Sequence, residues 1–122
     1  MIYGVEIKNK ADLKRYGIAD LEKVEGNVYK IKKIVEKPDP ENAPSNIATH
    51  GAYILPPEIF AALKSLAPSQ GGEIWLVDAI NLLKEEGIPL HTVVLQNATY
   101  YDTGNKLDYL KTVVEYGLKH EE

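Results

Sequence analysis

The sequence predicts a mixed α/β fold, and composition and two kinds of periodicity indicate it. The chain has 122 residues, of which 44% are hydrophobic and 26% charged, as is typical of one soluble globular domain. Segments with alternating apolar and polar residues, such as 28–35, are typical of half-buried strands. Segments with apolar residues three and four positions apart, such as 105–120, are typical of amphipathic helices. Because both kinds of segment alternate along the chain, we expect one α/β domain.

The first third of the chain predicts a strand, a short helix and a β-hairpin. Residues 1–5 are short and apolar, as a strand or its end would be. Asn9 can cap a short helix over residues 10–15, which stops at Gly17. Residues 18–24 and 28–35 form the two predicted arms of the hairpin, because the Gly26-Asn27 pair between them tolerates the positive φ of a tight turn.

The rest of the chain predicts two strands and three helices. A proline-rich loop over 38–45 precedes a strand over 48–55, and a second strand covers 90–95. Pro56-Pro57 opens the first helix, because a missing N–H costs least in a first turn. The predicted buried face of this helix holds Ile59, Phe60, Leu63 and Leu66. A loop over 68–72 leads to a helix over about 74–86 that stops at Gly87, with a buried face of Leu76, Ala79, Ile80 and Leu83. The last helix, over about 105–120, carries an apolar stripe of Leu107, Leu110, Val114 and Leu118.

Charge and residue usage exclude several classes of function. Lys and Arg number 14 and Asp and Glu 18, so the net charge is −4. Arg15 is the sole arginine, and a chain without a basic face is a poor binder of nucleic acid. Cysteine is absent, which excludes disulfides and thiolate metal sites and fits a reducing compartment. No apolar segment approaches the roughly 20 residues of a membrane span, and the first residues lack a signal-peptide pattern, so we expect a cytoplasmic protein.

Glu36-Lys37-Pro38 is the first candidate for chemistry, because it follows a predicted strand directly. Pro38 favours an extended Lys37, whose side chain would then be presented at the strand end, where α/β proteins bind ligands. A lysine suits a phosphate as a point charge, and a glutamate accepts hydrogen bonds from sugar hydroxyls. The alternative is a solvated charge pair, and these residues alone leave both interpretations open.

Two further segments have both a structural and a functional interpretation. Asp102, within Tyr100-Tyr101-Asp102-Thr103-Gly104, either caps the last helix region or supplies one carboxylate to a Mg²⁺ site beside phosphates. Gly71-Gly72-Glu73 is either a plain turn or a backbone site for an anion. A zinc site is not expected, since metal-ligand spacing is missing among His50, His91 and His120.

Five blocks together resemble one family. In chain order they are Tyr16-Gly17, Val35-Glu36-Lys37-Pro38, residues 44–53, residues 71–80 and residues 101–106. Their order and spacing resemble the C-terminal half of bacterial and archaeal UTP–glucose-1-phosphate uridylyltransferases, also called UDP-glucose pyrophosphorylases. The resemblance covers the chain from about residue 2 to 120. It implies a single domain over 1–122 that is the C-terminal part of a Rossmann-like nucleotidyltransferase fold with a mixed sheet.

The resemblance also implies a reaction and its catalytic residues. Family members join UTP and glucose 1-phosphate into UDP-glucose and release pyrophosphate, with Mg²⁺ as cofactor. Lys37 would hold the sugar phosphate, and Asp102 would be one of two carboxylates on the metal. The family's N-terminal half carries a Gly-rich loop, with an arginine that grips the triphosphate, and the second carboxylate. Nothing in this sequence matches that loop, so we expect the chain to be inactive alone.

By the same resemblance, four more residues bind the sugar. Gly17 would let its backbone approach the sugar, because it has no Cβ. Glu36 would accept from glucose hydroxyls, and the pocket would be lined by Thr49 and Tyr100. The sequence departs from the family at Trp75 and Val77, which are apolar where relatives usually show Gln and Thr and so predict a more buried or stickier surface. The histidine at position 50 is also unusual in its block.

Alternative functions stay open at this point. The chain could be a non-catalytic sugar-nucleotide-binding or regulatory module that pairs with a full-length enzyme, or an interaction domain whose motifs are relics. The dTTP and CTP branches share the fold, and the missing half chooses the base. Expected partners are glucose 1-phosphate or UDP-glucose and the missing half or a full-length copy, without nucleic acid or membrane. An open sheet edge and uncovered helix faces predict a homodimer or a larger homo-oligomer.

Overall fold

The computed structural model of the protein describes residues 1–68 and 72–120. The strands are β1 (Ile2–Glu6), β2 (Gly17–Glu25), β3 (Val28–Glu36), β4 (Ile47–Tyr53) and β5 (His91–Val94). The helices are α1 (Ile59–Ser65), α2 (Leu76–Glu85) and α3 (Lys106–Lys119), and a short 3-10 helix covers Lys10–Arg15. The predicted mixed α/β fold is therefore confirmed, with element ends displaced by a few residues.

The five strands close into a ring in the order β1-β4-β2-β3-β5. β1 and β5 are parallel, and the other four pairs are antiparallel, so the sheet is mixed as predicted. The expected open edge is wrong for the strands that the structure describes, because β5 bridges β3 and β1 while β4 bridges β1 and β2. Two of the contacts that close the ring are short, since β2 meets β4 at the single pair Ile18–Ala48 and β3 meets β5 over Val28–Lys30.

The hairpin of β2 and β3 places two predicted site residues side by side. It turns at Gly26, whose φ of +53° is a left-handed conformation that glycine adopts without strain. Two bulges shift the pairing register by one residue in opposite directions. The net register is therefore unchanged, and Gly17 at the start of β2 pairs with Glu36 at the end of β3. Both residues therefore lie at the same end of the ring, far along the hairpin from its turn.

The main core lies where α2 packs against the strands. Ile2, Ile31 and Ile34 from the strands and Ile80 and Leu83 from α2 are at most 1% exposed. This apolar contact is reinforced by Asn81 of α2, which pairs with the backbone of the residue at position 34 through two hydrogen bonds of 2.8 and 2.9 Å. A smaller cluster beneath the 3-10 helix comprises Ile7, Leu13, Ile18 and Ala48. The smaller cluster anchors the 3-10 helix, which ends at the chain segment leading into the site.

Several predicted apolar positions are placed differently by the tertiary structure. α1 begins at Ile59 rather than at the prolines and buries Ile59 and Ala62, so Phe60, about 100° around the helix, is 67% exposed. Leu76 is 37% exposed because it is the first residue of α2 and stands at its end. Val77, whose apolar side chain predicts a more buried or stickier surface, is buried in the main core. The core thus takes Val77 in place of Phe60 and Leu76.

α3 contributes nothing to either core. Its predicted apolar stripe is present, but no residue of α3 is buried, and the four stripe residues are 59% to 83% exposed. The helix begins at Asn105, whose Oδ1 accepts a hydrogen bond from Asp108 N at 3.0 Å, so Asn105 rather than Asp102 caps it. Within residues 1–68 and 72–120, no helix is both long and apolar enough to cross a membrane.

Candidate functional site

The ring end that carries Gly17 and Glu36 opens into a recess of about 150 Å³. Three predicted sugar-site residues line this recess together with residues to which the sequence analysis assigned no role. The predicted ones are Gly17, Glu36 and Thr49, and the additional ones include Tyr16, His50 and Tyr53. The strand register thus brings the Gly17 backbone of β2 together with side chains of β3 and β4 in one concavity.

The recess has space at Gly17 because glycine has no side chain. A Cβ on Gly17 would lie 3.0 Å from Glu36 Oε2 and 3.2 Å from Thr49 Oγ1, closer than ordinary contacts. The buried Thr49 hydroxyl donates to the Gly17 carbonyl at 3.2 Å, and the Tyr53 hydroxyl donates to the Thr49 carbonyl at 3.3 Å. Glycine therefore leaves room beside the Glu36 carboxylate, and the threonine holds the glycine backbone in place.

Lys37 directly follows Glu36 of the recess and has an unusual backbone. Its N–H donates to the Tyr16 carbonyl at 3.0 Å, one step beyond the last pair of the hairpin. Its φ of +46° is left-handed, so the extended conformation predicted from Pro38 is wrong. The bond to Tyr16 holds this conformation, which costs a non-glycine residue about 1–3 kcal/mol. The Lys37 ammonium then lies 3.8 Å from Glu36 Oε1 and 6.0 Å from the ring centroid of Trp75.

Asp102 lies beside the recess, where both of its oxygens are engaged. Oδ1 accepts from the Gly104 N–H at 2.8 Å, while Oδ2 accepts from the Tyr16 hydroxyl at 3.0 Å and from the Arg15 guanidinium. The Gly104 N–H, then the Tyr16 hydroxyl and the Arg15 charge, lower the pKa of Asp102. Burial and the bond to Asp102 raise the pKa of Tyr16 to about 12. The ionised carboxylate is thus stabilised by groups of this chain.

The contacts of Asp102 show whether this chain can bind the expected Mg²⁺ by itself. Mg²⁺ takes carboxylate oxygens together with phosphates and water. The carboxylate of Asp102 is already paired with a guanidinium, and no group of three or more acidic or histidine side chains suited to a metal occurs in the described part of the chain. The residues present do not fit a metal ion by themselves.

Tyr100 reaches the recess through an aromatic cluster. Its ring centroid is 4.3 Å from that of His50 and 5.9 Å from that of Tyr16, and the His50 and Tyr16 centroids are 5.0 Å apart. Burial lowers the pKa of His50, and its Nε2 is buried without a hydrogen-bond partner among the described residues. The structure therefore brings all six predicted site residues into one region, with Tyr100 and Asp102 joined to the recess through Tyr16 and His50.

Known proteins resemble this chain in sequence and in fold. A family model described as nucleotidyl transferase matches residues 3–117. The chain belongs to the nucleotidyl transferase family. The sequence-based resemblance is confirmed at this level, and proteins of the family generally use a divalent metal ion.

Named relatives of this nucleotidyl transferase chain carry the name that the resemblance predicts. A Methanocaldococcus jannaschii protein, provisionally named UTP–glucose-1-phosphate uridylyltransferase, is 46% identical over 95% of this chain and 40% of its own length. The UTP–glucose-1-phosphate uridylyltransferase of Staphylococcus haemolyticus is 42% identical over 97% of this chain and 40% of its own length. A crystal structure of UDP-glucose pyrophosphorylase with UDP-glucose has a TM-score of 0.88 at 32% identity, covering 98% of this chain and 44% of that one. The chain therefore spans about two fifths of the curated relatives that it matches.

Some residues of the site were given no role in the sequence analysis. Tyr16, His50 and Tyr53 lie inside the motif blocks, beside residues that were assigned roles, and this adjacency is the signal that could have found them. Arg15 was noted only as the sole arginine, because nothing local links it to a carboxylate 87 residues away. Gly71 of the predicted glycine pair lies outside the described residues, and Gly72 has a φ of +80°.

The lowered pKa of Asp102 makes a prediction about stability in acid. A carboxylate whose folded pKa is below its unfolded value stabilises the fold above about pH 4, and this contribution is lost as the pH falls through the folded pKa. We expect the free energy of unfolding of Asp102→Asn to fall less than that of the wild type between neutral pH and pH values below about 4. Urea unfolding across this range measures it. Asp20→Asn, a half-exposed carboxylate outside the cluster, is the control, and equal slopes for wild type and Asp102→Asn contradict the prediction.

Proposed function

We propose that this chain supplies the sugar-phosphate side of a UTP–glucose-1-phosphate uridylyltransferase and needs a nucleotide-binding part to act. The observation that carries the proposal is the recess in which Gly17, Glu36 and Thr49 meet, with the Lys37 ammonium 3.8 Å from Glu36 Oε1. A phosphate site needs a cation, which Lys37 supplies. A sugar site needs hydrogen-bond acceptors and a backbone that the sugar can approach, which Glu36 and Gly17 supply. The match over 98% of the chain to a pyrophosphorylase in complex with UDP-glucose supports this assignment.

The recess suggests a role for each of its residues. The Lys37 ammonium, 3.8 Å from Glu36 Oε1 in the free chain, would hold the phosphate of glucose 1-phosphate, while the carboxylate accepts from sugar hydroxyls. Gly17 admits the sugar ring, and Thr49 and Tyr100 line its pocket. An oxygen of the held phosphate then attacks the α-phosphorus of UTP in line. The bond to pyrophosphate breaks as the new P–O bond forms, so the site contributes by positioning and by neutralising charge.

The cofactor in this proposal is Mg²⁺, bound by the complete enzyme and not by this chain alone. Asp102 remains the candidate for one of its carboxylates, because it adjoins the recess through Tyr16. The second carboxylate and the triphosphate grip are assigned to the nucleotide-binding part. Since Arg15 holds Asp102 in the free chain, we assign it no metal step here.

A second candidate function is a non-catalytic module that binds the sugar nucleotide and pairs with a full-length enzyme. The Arg15–Asp102 contact favours it, since a carboxylate with an internal counterion has no need of a metal. In both cases the partner is a nucleotide-binding part or a full-length copy. By similarity the nucleotide is UTP, with dTTP and CTP as alternatives. The cysteine-free composition suits the cytoplasmic location that we predict.

Binding of glucose 1-phosphate to the chain alone tests the sugar-phosphate assignment. We expect Lys37→Ala to weaken binding by roughly 10- to 100-fold, because a charge-assisted contact contributes about 1.5–3 kcal/mol. Titration calorimetry or NMR shifts measure the affinity. Lys33→Ala, an exposed lysine on β3, is the matched control and should bind like the wild type.

Glucose itself serves as a second probe, because it lacks the phosphate. Its affinity should be the same for the wild type and for Lys37→Ala. Wild-type chain that shows no binding of glucose 1-phosphate at millimolar concentration, or a Lys37→Ala chain that binds it unchanged, contradicts the proposed site.

A further inference from the structure

Trp75 is the apolar departure from the family that the core does not bury. Val77, the other apolar departure, is part of the main core, whereas Trp75 is only partly buried. Trp75 directly precedes α2 with an extended backbone, and its carbonyl accepts from the Asp78 N–H at 3.1 Å. Because α2 packs on the strands, the backbone that carries the indole has a fixed position beside the site.

The indole of Trp75 lies next to the Lys37 ammonium. Lys37 Nζ lies over the ring, 6.0 Å from its centroid, and 3.8 Å from Glu36 Oε1. The ring Nε1 donates to Glu73 Oε2 at 3.3 Å, so the N–H at the ring edge is engaged and the ring face is left for the cation. A tryptophan face attracts an ammonium within about 6 Å of the ring centroid. The ammonium thus has one anionic and one aromatic neighbour.

The two neighbours of the ammonium respond differently to a bound phosphate. The Glu36 carboxylate is an anion and competes with the phosphate for the Lys37 charge. The indole carries no net charge, and an ammonium has three N–H donors, so contact with a ring leaves donors available for phosphate oxygens. Trp75 is therefore the neighbour that stays compatible with Lys37 when a phosphate binds.

The indole is also more rigid than the side chain that it contacts. The Lys37 side chain is 59% exposed, and its long flexible stem samples many rotamers unless a neighbour restricts it. Trp75 is fixed at its backbone by α2 and at its ring edge by Glu73. A rigid group that holds a flexible charge close to its bound position lowers the ordering cost of binding.

We propose that Trp75 is a positioning residue of the sugar-phosphate site, whose ring face holds the Lys37 ammonium where it meets the phosphate of the substrate. The inference rests on the proposed function and extends it to a residue to which the family resemblance assigns no role. The glutamine that relatives usually show at this position offers no such face, so the contact is a feature of this chain.

Fluorescence of the free chain tests the contact without any ligand. Trp75 is the sole tryptophan, so emission excited selectively from tryptophan reports on this residue alone. We expect Lys37→Ala to change the emission spectrum, because it removes a charge beside the ring. Lys33→Ala, on β3, is the control and should leave the spectrum unchanged. Identical spectra of the wild type and Lys37→Ala overturn the proposal.

Titration with glucose 1-phosphate tests the consequence of the contact. Trp75→Gln should weaken binding by roughly 2- to 5-fold, as expected for loss of an exposed cation–π contact. Trp75→Phe keeps a ring face and should bind more tightly than Trp75→Gln. Phe60→Gln removes an exposed ring from α1 and should bind like the wild type.

A double-mutant cycle separates positioning of Lys37 from a structural role of Trp75. In the Lys37→Ala background, Trp75→Gln should cause no further loss, because the indole acts through the ammonium that is already absent. Glucose, which has no phosphate, should bind the wild type and Trp75→Gln equally. An additive loss in the Lys37→Ala background, or an equal loss for glucose, overturns the proposal.

The outcomes distinguish this inference from the proposed function. If Lys37→Ala weakens binding of glucose 1-phosphate while Trp75→Gln binds like the wild type, the inference fails and the sugar-phosphate assignment stands. A wild type that does not bind glucose 1-phosphate contradicts the proposed function and this inference with it. The fluorescence comparison retains Trp75 in every variant, so it decides on the contact even if circular dichroism shows that Trp75→Gln is unfolded.

Discussion

UDP-glucose synthesis should appear when the nucleotide-binding part of a relative is fused to this chain, and it should be undetectable with the chain alone. Among the described residues no group of three or more acidic or histidine side chains is suited to a metal ion, and Arg15, which binds Asp102, is the only arginine of the sequence. Cationic clamps on the phosphates contribute roughly 10³- to 10⁵-fold to phosphoryl transfer. We therefore expect the isolated chain to fall at least that far below the fused enzyme.

Within the fused enzyme, a substitution at Lys37 tests whether this chain contributes to the reaction itself or only completes the fold. Lys37→Ala should lower kcat/KM for glucose 1-phosphate by roughly 10- to 100-fold, since it removes a charged contact to the phosphate. Release of pyrophosphate from UTP and glucose 1-phosphate measures the rate. Lys33→Ala in the same fusion controls for loss of positive charge on β3.

Three outcomes would contradict this prediction. The first is turnover by the isolated chain at an ordinary enzymatic rate, which would mean that the nucleotide grip lies within these 122 residues. The second is a correctly folded fusion without activity, which would favour the non-catalytic module. The third is full activity of the fused Lys37→Ala variant, which would remove Lys37 from the phosphate site.

The largest effect on stability is expected from Ile80→Ala. Ile80 of α2 is fully buried in the main core, and truncation of such a residue leaves a cavity that costs about 2–5 kcal/mol. Urea unfolding of the chain measures the free energy of unfolding directly. Ile54→Ala makes the same chemical change at a side chain that is 62% exposed and should cost well under about 1 kcal/mol. Similar losses for the two variants would show that α2 does not pack on the ring as described.

The order of the elements and the family were predictable from the sequence because their signals are local. The Gly26-Asn27 turn specifies the hairpin, and the pairing of Gly17 with Glu36 follows by counting outward from it. Asn9 marks a helix start because its side chain accepts from the Ala11 N–H, and Gly87 marks a helix end because its φ of +86° suits glycine; both ends lie as predicted. The motif blocks indicated the nucleotidyl transferase family, which the match over residues 3–117 confirms.

Contacts between distant segments were decided only by the tertiary structure. Periodicity shows that α3 has an apolar stripe, but the same pattern fits a stripe that faces the core and one that faces away, and the polar contacts of Asp108 and Glu115 choose the second. The motif around Asp102 predicts a carboxylate beside phosphates, yet its counterion is Arg15, 87 residues earlier. Closure of the ring likewise depends on β5 reaching both β1 and β3, which no local propensity encodes. Local preferences act over a few residues, whereas each of these outcomes depends on which surfaces remain available once the core has formed.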